Sequence, residues 1–206
     1  RGKPGGKIKY LEKTRPDGPY DKMTLFMDGL NFPTGVFPYK NGVLVTAAPD
    51  IFYAEKGKDG KIKKEVLFTG FKEGNQQHRV NGLTWGIDNW IYGANGDSGG
   101  VIKSLKTGKT VDIRGRDFRF KPETGEFEAQ SGQSQFGRCR DDWGNWFGNN
   151  NSNPMFHYVL DDHYLKRNPH VLYPDPRVPV IPGAIRVYPI SKPLPRFNTP
   201  GALNHF

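Results

Sequence analysis

Apolar residues in this chain recur with period two in short runs rather than along helical stripes. Lys7-Ile-Lys-Tyr-Leu-Glu alternates polar and apolar positions, Arg15-Pro-Asp-Gly-Pro reads as a turn, and Met23-Thr-Leu-Phe-Met resumes the alternation. Runs of this kind, bounded by Gly, Pro, Asp and Asn, predict strands joined by tight turns. No segment carries an i, i+3, i+4, i+7 apolar stripe long enough for a substantial helix, so the expected class is all-β. One phrase recurs three times: Gly35-Val-Phe-Pro-Tyr-Lys-Asn-Gly-Val-Leu-Val-Thr, Gly82-Leu-Thr-Trp-Gly-Ile-Asp-Asn-Trp-Ile-Tyr-Gly and Gly137-Arg-Cys-Arg-Asp-Asp-Trp-Gly-Asn-Trp-Phe-Gly. Each copy is a glycine and a short strand, a turn built on Asp, Asn or Gly, and a second strand rich in aromatic or β-branched residues. The leading glycines lie 47 and 55 residues apart. A supersecondary unit repeating at roughly 40 to 50 residues is the sequence signature of a β-propeller blade.

The expected architecture is therefore a partial β-propeller domain over residues 1–206, holding about three to four four-stranded blades at that repeat length. Lys7–Glu12 and Met23–Met27 supply two strands of the first blade. The next takes Gly35–Thr46, Asp50–Glu55 and Lys64–Phe68, with Lys58-Asp-Gly-Lys as a hairpin turn. A further blade takes Asn81–Thr84, Trp90–Ala94, Gly100–Leu105 and a strand through Asp117-Phe-Arg-Phe, after which Lys121-Pro-Glu-Thr-Gly-Glu turns into Phe127-Glu-Ala. The last contains Gly137–Arg140, Trp143–Gly148 and Met155–Leu160, and Asp161–Lys166 reads as a short helical turn halted at Asn168-Pro169. Nine of the 17 prolines fall between Pro169 and Pro200, so 169–200 reads as an extended connection between blades, with Ala184–Tyr188 as a strand inside it. Arg1 is not an initiator methionine and Asn204-His205-Phe206 stops without a polar tail, so the chain is expected to be part of a larger protein.

Composition narrows the function classes. With 26 Gly and 13% aromatic residues the chain is turn-rich, and no apolar run approaches the roughly 20 residues that span a bilayer as a helix. The single cysteine, Cys139, excludes an internal disulfide, a multi-thiolate zinc site and a covalent haem-attachment pair. His157, His163, His170 and His205 show no metal-ligand spacing, and no metal site is expected from side chains. The formal charge of +9 would favour an acidic partner. Acidic residues are interspersed through both lysine-rich stretches, however, and no recognition motif accompanies the charge, so nucleic-acid binding is not expected.

Gln77-His-Arg-Val-Asn-Gly-Leu-Thr-Trp-Gly-Ile-Asp-Asn-Trp-Ile-Tyr-Gly-Ala-Asn-Gly-Asp resembles the soluble quinoprotein glucose and sorbosone dehydrogenase propellers. It is closer still to the large membrane-bound dehydrogenases of planctomycete-type bacteria, whose propeller is often followed by a haem-binding, cytochrome-like region. Lys7 to Asp28, Pro33-Thr-Gly-Val, Gly115-Arg-Asp-Phe-Arg-Phe-Lys-Pro-Glu-Thr-Gly-Glu, Gln135-Phe-Gly-Arg and Asp142-Trp-Gly-Asn carry the same resemblance, which spans nearly the whole chain. It implies a six-bladed ring, a bacterial periplasmic or cell-envelope location, a sugar or alcohol substrate, and a cytochrome-like electron acceptor. It also implies pyrroloquinoline quinone and calcium as cofactors, the calcium held largely by backbone carbonyls and the quinone itself. In that family a histidine just before a glycine-leucine strand removes the hydroxyl proton, and His78 holds the similar place, four residues before Gly82. Imidazole suits the role because its ordinary pKa of about 6.5 leaves a neutral base near pH 7. Arg79 and Arg138 are the implied quinone contacts, although Cys139 follows Arg138 where the sugar dehydrogenases have asparagine.

Each candidate also has a plainer reading. His78 reads equally as a loop histidine bonded to a neighbouring turn. Asn95-Gly-Asp-Ser-Gly-Gly offers Asn95 and Asp97 to a ligand, and Asn149-Asn-Asn-Ser-Asn offers Asn149 and Asn150 from the matching place in the next blade, so both loops should emerge on one face where amides could meet sugar hydroxyls. Asx-turns account for both loops as well. Asp141-Asp142 reads as turn acids, Trp85, Trp90, Trp143 and Trp146 as packing between blades, and Cys139 as a small apolar residue on a buried strand. A non-catalytic propeller that binds carbohydrate or a protein partner through the same loops is the alternative to the enzyme.

Overall fold

The structure is a computed structural model that describes residues 3–168, 170 and 175–181. Among the described residues it is all-β apart from one short helix and a 3₁₀ turn. Strands β1 (Gly6–Glu12) and β2 (Lys22–Leu30) form a two-stranded antiparallel sheet. A meander follows through β3 (Gly35–Tyr39), β4 (Gly42–Ala47), β5 (Asp50–Lys56) and β6 (Ile62–Phe71). Strands β7 (Asn81–Trp85) and β8 (Ile91–Ala94) begin a third sheet. The chain then detours through the hairpin β9 (Gly100–Ser104) and β10 (Thr110–Asp112) before β11 (Asp117–Lys121) and β12 (Glu126–Gln130) complete the order β7-β8-β11-β12. Strands β13 (Arg138–Arg140), β14 (Trp146–Gly148), β15 (Phe156–Tyr158) and β16 (Arg177–Pro179) make a fourth sheet, with helix α1 (Asp162–Leu165) between its last two strands.

Gly100–Leu105 corrects the sequence expectation. It does not enter the third sheet but pairs with β6, Phe68 opposite Ser104 and Thr69 opposite Lys103. The free edge of β6 takes up the β9–β10 hairpin while Ile102 and Ile113 fall into the neighbouring core. The third position in the next sheet passes to β11, where Phe118 pairs with Gly93. Strand pairing of this kind is non-local, and the alternation of β9 is compatible with either sheet. Most of the proline-rich segment, including Ala184–Tyr188, lies outside the described residues.

Three apolar layers hold the sheets face to face. Ile8 and Leu30 of the first sheet pack on Val45, Ala47, Phe52 and Ala54 of the second. The opposite face of that sheet, Leu44, Ile51 and Phe68, packs on Ile91, Phe118 and Phe120 of the third. Tyr92 then meets Trp146, Phe156 and Tyr158 of the fourth. Neighbours such as Leu44 and Val45, or Ile91 and Tyr92, serve different layers because successive strand side chains point to opposite faces. Phe52, Phe68, Phe118, Phe120 and Phe156 are fully buried, each contributing on the order of 1.5–3 kcal/mol by its burial.

The repeated glycines have a packing reason. Strands β3, β7 and β13, which open three successive sheets, lie side by side. Gly82 has φ +63°, and a Cβ there would sit 2.4 Å from the Cα of Gly137, while one on Gly35 would lie 4.0 Å from the Gly82 nitrogen. A side chain at Gly82 would therefore separate the backbones.

Aromatic and cysteine positions divide differently from the sequence expectation. Trp146 is buried between sheets, but Trp143 is 84% exposed on the β13–β14 turn and Trp85 is 41% exposed against Phe37 and Tyr39. Trp90 lies under the side chains of Arg119 and Lys121. Cys139 is exposed, not buried. On β13 it alternates with Arg138, and Arg138 takes the inward face.

Candidate functional site

His78 ends a 3₁₀ turn, Gln76–His78, capped by Asn75, whose side-chain oxygen accepts from the Gln77 amide at 3.0 Å. The turn sets the imidazole against two loops. Nδ1 lies 3.6 Å from Asp97 Oδ2, an ion-pair distance but a long one for a hydrogen bond, with the two side chains 32% and 24% exposed. Nε2 lies 3.2 Å from Gln135 Nε2.

The surrounding bonds fix the ring. Gln135 Oε1 accepts from the Asn151 amide at 3.1 Å, which assigns the NH2 of Gln135 to the side facing His78. His78 Nε2 is then an acceptor, and the proton of the neutral ring sits on Nδ1, towards Asp97. Asp97, at φ +72°, is itself held by Gln133 Nε2 to Oδ1 at 2.6 Å and by its own N–H to Asn95 Oδ1 at 2.6 Å. The result is a histidine with a carboxylate behind Nδ1 and the buried Gln135 amide in front of Nε2.

The segment 131–137 organises this cluster. Gln133 reaches the 95–99 loop and Gln135 reaches the 149–153 loop, so the two loops meet around His78. Asn95 is 1% exposed, and its amide nitrogen donates to the carbonyls of Ile113 (3.0 Å) and Arg116 (2.7 Å), so it braces the loop. Asn149 contributes backbone bonds, its carbonyl accepting from Gln135 N at 2.9 Å. Asn150 caps an Asx-turn through Ser152 N (3.0 Å) and Asn153 N (2.8 Å). Asp141 serves its own turn, accepting from Asn145 and Trp143.

The two arginines lie apart in environment. Arg79 is 7% exposed and lines a cleft of ≈ 770 Å³ with Phe32, Glu73 and Gln76, its Nε donating to Glu73 O at 2.8 Å. Arg138 is enclosed between the third and fourth sheets. Its Nη1 lies 3.5 Å from Asp117 Oδ2, and its guanidinium is 4.0 Å from the Tyr158 ring centre, 5.2 Å from Trp146 and 5.8 Å from Tyr92.

Asp117, fully buried, anchors the same region. Its Oδ1 accepts from Asn95 N (3.0 Å) and Ser134 N (3.1 Å), and its Oδ2 accepts from the Tyr158 hydroxyl (2.9 Å). Burial outweighs Arg138 and these hydrogen bonds, and pushes its pKa up to about 6. Burial likewise raises Tyr158, and pushes Tyr92 up to about 12. Asp117, Gln133 and Gln135 are the residues sequence reasoning missed. Gln135 stands inside the quoted phrase Gln135-Phe-Gly-Arg, yet a glutamine in a Gly/Ser-rich loop gives no local sign of its partner.

Among the described residues no group of three or more His, Cys, Asp or Glu side chains converges on a metal position, and no helix is long and apolar enough to cross a membrane. The fold and cluster define an all-β protein of antiparallel sheets with a histidine held between Asp97 and Gln135 where its loops meet. Residues 1–206 match the family described as a domain of unknown function, DUF7133, and the chain belongs to that family. No curated protein and no solved structure matches it.

Proposed function

We propose that the chain is part of a β-propeller in which His78 is a general base for oxidation of a sugar or alcohol hydroxyl. The propeller reading rests on three successive sheets built on four-stranded antiparallel runs, packed face to face, whose opening strands meet at Gly35, Gly82 and Gly137. The catalytic reading rests on one observation: the His78 ring held between Asp97 and Gln135. A hydroxyl that displaces the Gln135 amide from Nε2 would meet the ring's lone pair. Asp97 would stabilise the imidazolium formed when the proton moves to Nε2. The Asn95 amide contributes little to hydroxyl recognition, since it is spent on carbonyls.

Pyrroloquinoline quinone, the cofactor the resemblance implies, does not fit the arginines as they lie. Arg138 stands 3.5 Å from the buried Asp117 carboxylate among three rings, its Nε and Nη1 making no hydrogen bond, and Arg79 opens on a cleft that His78 does not line. No step is derived through it, and the only step assigned to these residues is removal of the hydroxyl proton by His78.

The test is dye-linked turnover of a sugar and alcohol panel by the full chain, with and without added quinone and calcium, alongside calorimetric titration of the quinone. Turnover lost in His78→Ala, and reduced in Asp97→Asn at little changed KM, supports the base. Absence of turnover across the panel with the folded protein removes the enzyme reading in favour of a propeller that binds without reacting.

A further inference from the structure

We propose that Gln135 is a proton-sensitive latch: protonation of His78 frees the tip of the 149–153 loop from the 131–137 segment. The latch rests on the donors and acceptors around the imidazole and not on catalysis by His78, so it goes beyond the base reading and is tested apart from it.

Gln135 meets two demands with one amide. Its Nε2 lies 3.2 Å from His78 Nε2, and its Oε1 accepts from the Asn151 amide at 3.1 Å. The backbone is pinned, because Gln135 N donates to Asn149 O at 2.9 Å and Gln135 O accepts from Asn81 Nδ2 at 2.9 Å. At 2% exposure the side chain has little water to turn to. Its response to a change at the ring is therefore confined to turning the amide over.

With the ring neutral, both contacts are satisfied: the Gln135 NH2 donates to Nε2, and Oε1 accepts from Asn151. Protonation makes Nε2 a donor, so two donors face each other across 3.2 Å. Turning the amide over gives the imidazolium an acceptor in Oε1, in a charge-assisted hydrogen bond stronger than the neutral one it replaces. The same turn points the NH2 at the Asn151 N–H, and that contact becomes donor against donor. A primary amide has no second oxygen with which to serve both.

The loop is the side that yields. Its stem stays held at Asn149, whose N–H donates to Ser134 Oγ at 3.1 Å. The tip keeps its internal turn, in which Asn150 Oδ1 accepts from Ser152 N (3.0 Å) and Asn153 N (2.8 Å). Asn151 and Ser152 are exposed, so water replaces Gln135 at the freed Asn151 N–H, whereas buried Gln135 has no such substitute.

The charged group against the ring is Asp97 of the 95–99 loop, 3.6 Å from Nδ1, and it favours the imidazolium. The 131–137 segment contributes the neutral Gln133 and Gln135, and the 149–153 loop contributes asparagines and Ser152. On the histidine's own turn Gln76 and Gln77 are neutral, and Arg79 directs Nε to Glu73 O at 2.8 Å.

The experiment is NMR of the full chain between about pH 8 and about pH 5, the span over which an imidazole changes charge. It follows the His78 ring, the Gln135 NH2 and the Asn151 N–H, with exchange rates corrected for their intrinsic pH dependence. All three should titrate with one midpoint, and protection of Asn151 should fall about three- to tenfold on the acid side, as expected for the loss of one modest hydrogen bond. In His78→Ala that protection should be the same at both ends of the span. Gln135→Glu supplies a carboxylate whose two oxygens accept from the imidazolium and from Asn151 together, so protection should no longer fall. Absence of a His78 titration in this span, or unchanged Asn151 protection while the ring titrates, would overturn the proposal. So would an equal fall in His78→Ala, which stands as the check if Gln135→Glu does not fold. Turnover is not the readout, so failure of the base reading leaves the latch to be decided on its own.

Discussion

Asp117 tests whether the buried polar cluster stabilises by hydrogen bonding or by charge. In Asp117→Ala two backbone N–H groups, those of Asn95 and Ser134, lose their acceptor at a position of zero exposure. At about 1–3 kcal/mol for each buried unsatisfied donor, the loss comes to about 3–9 kcal/mol once the Tyr158 hydroxyl is included. That is a large part of the roughly 5–15 kcal/mol that holds a domain folded. Asp117→Asn keeps an oxygen for both amides and removes the charge together with the Oδ2 acceptor of the Tyr158 hydroxyl. Because burial has already pushed the Asp117 pKa up to about 6, the site favours the neutral form, and the asparagine variant should lose less than half as much as the alanine variant. The assay is urea unfolding of the full chain at pH 7, followed by tryptophan fluorescence, with Trp146 reporting on the cluster from 5.2 Å above Arg138. If Asp117→Asn loses as much as Asp117→Ala, the pairing with Arg138 dominates and the argument from desolvation is wrong.

Three further outcomes follow from the same geometry. A folded pKa raised from 3.8 to about 6 means that Asp117 adds stability as pH falls through 6; the contribution is complete below about 3.8 and lost as pH rises through 6. It amounts to about 3 kcal/mol, so the wild type should gain on Asp117→Asn between pH 6.5 and 4 in matched urea titrations, and parallel curves would contradict this. Gly82→Ala should destabilise by more than about 2 kcal/mol, since it adds a strained left-handed residue and a Cβ 2.4 Å from Gly137 Cα; a melting temperature unchanged from wild type would refute the close approach. Trp146→Ala should cost about 3–5 kcal/mol, whereas Trp143→Ser, at a position 84% exposed, should stay within about 0.5 kcal/mol, measured by thermal unfolding.

Local chemistry was legible in the amino-acid sequence. The period-two alternation of Lys7–Glu12, the Asp, Asn and Gly turns and the three glycine-led phrases specify strands and hairpins, because a strand's two faces and a turn's φ values are decided within a few residues. They also announce His78 shortly before a strand, and the short helix after Asp161. Partnership across the chain was not legible. Whether Gly100–Ser104 joins the sheet before it or the sheet after it depends on which edge is free. Whether Arg138 or Cys139 faces inward depends on where Asp117 and Tyr158 arrive, from 21 and 20 residues away. The setting of His78 is likewise a tertiary product, since Asp97, Gln133 and Gln135 reach it from two loops that only the packing of the third and fourth sheets brings together. Alternation determines that a residue has a face; long-range packing decides what that face meets.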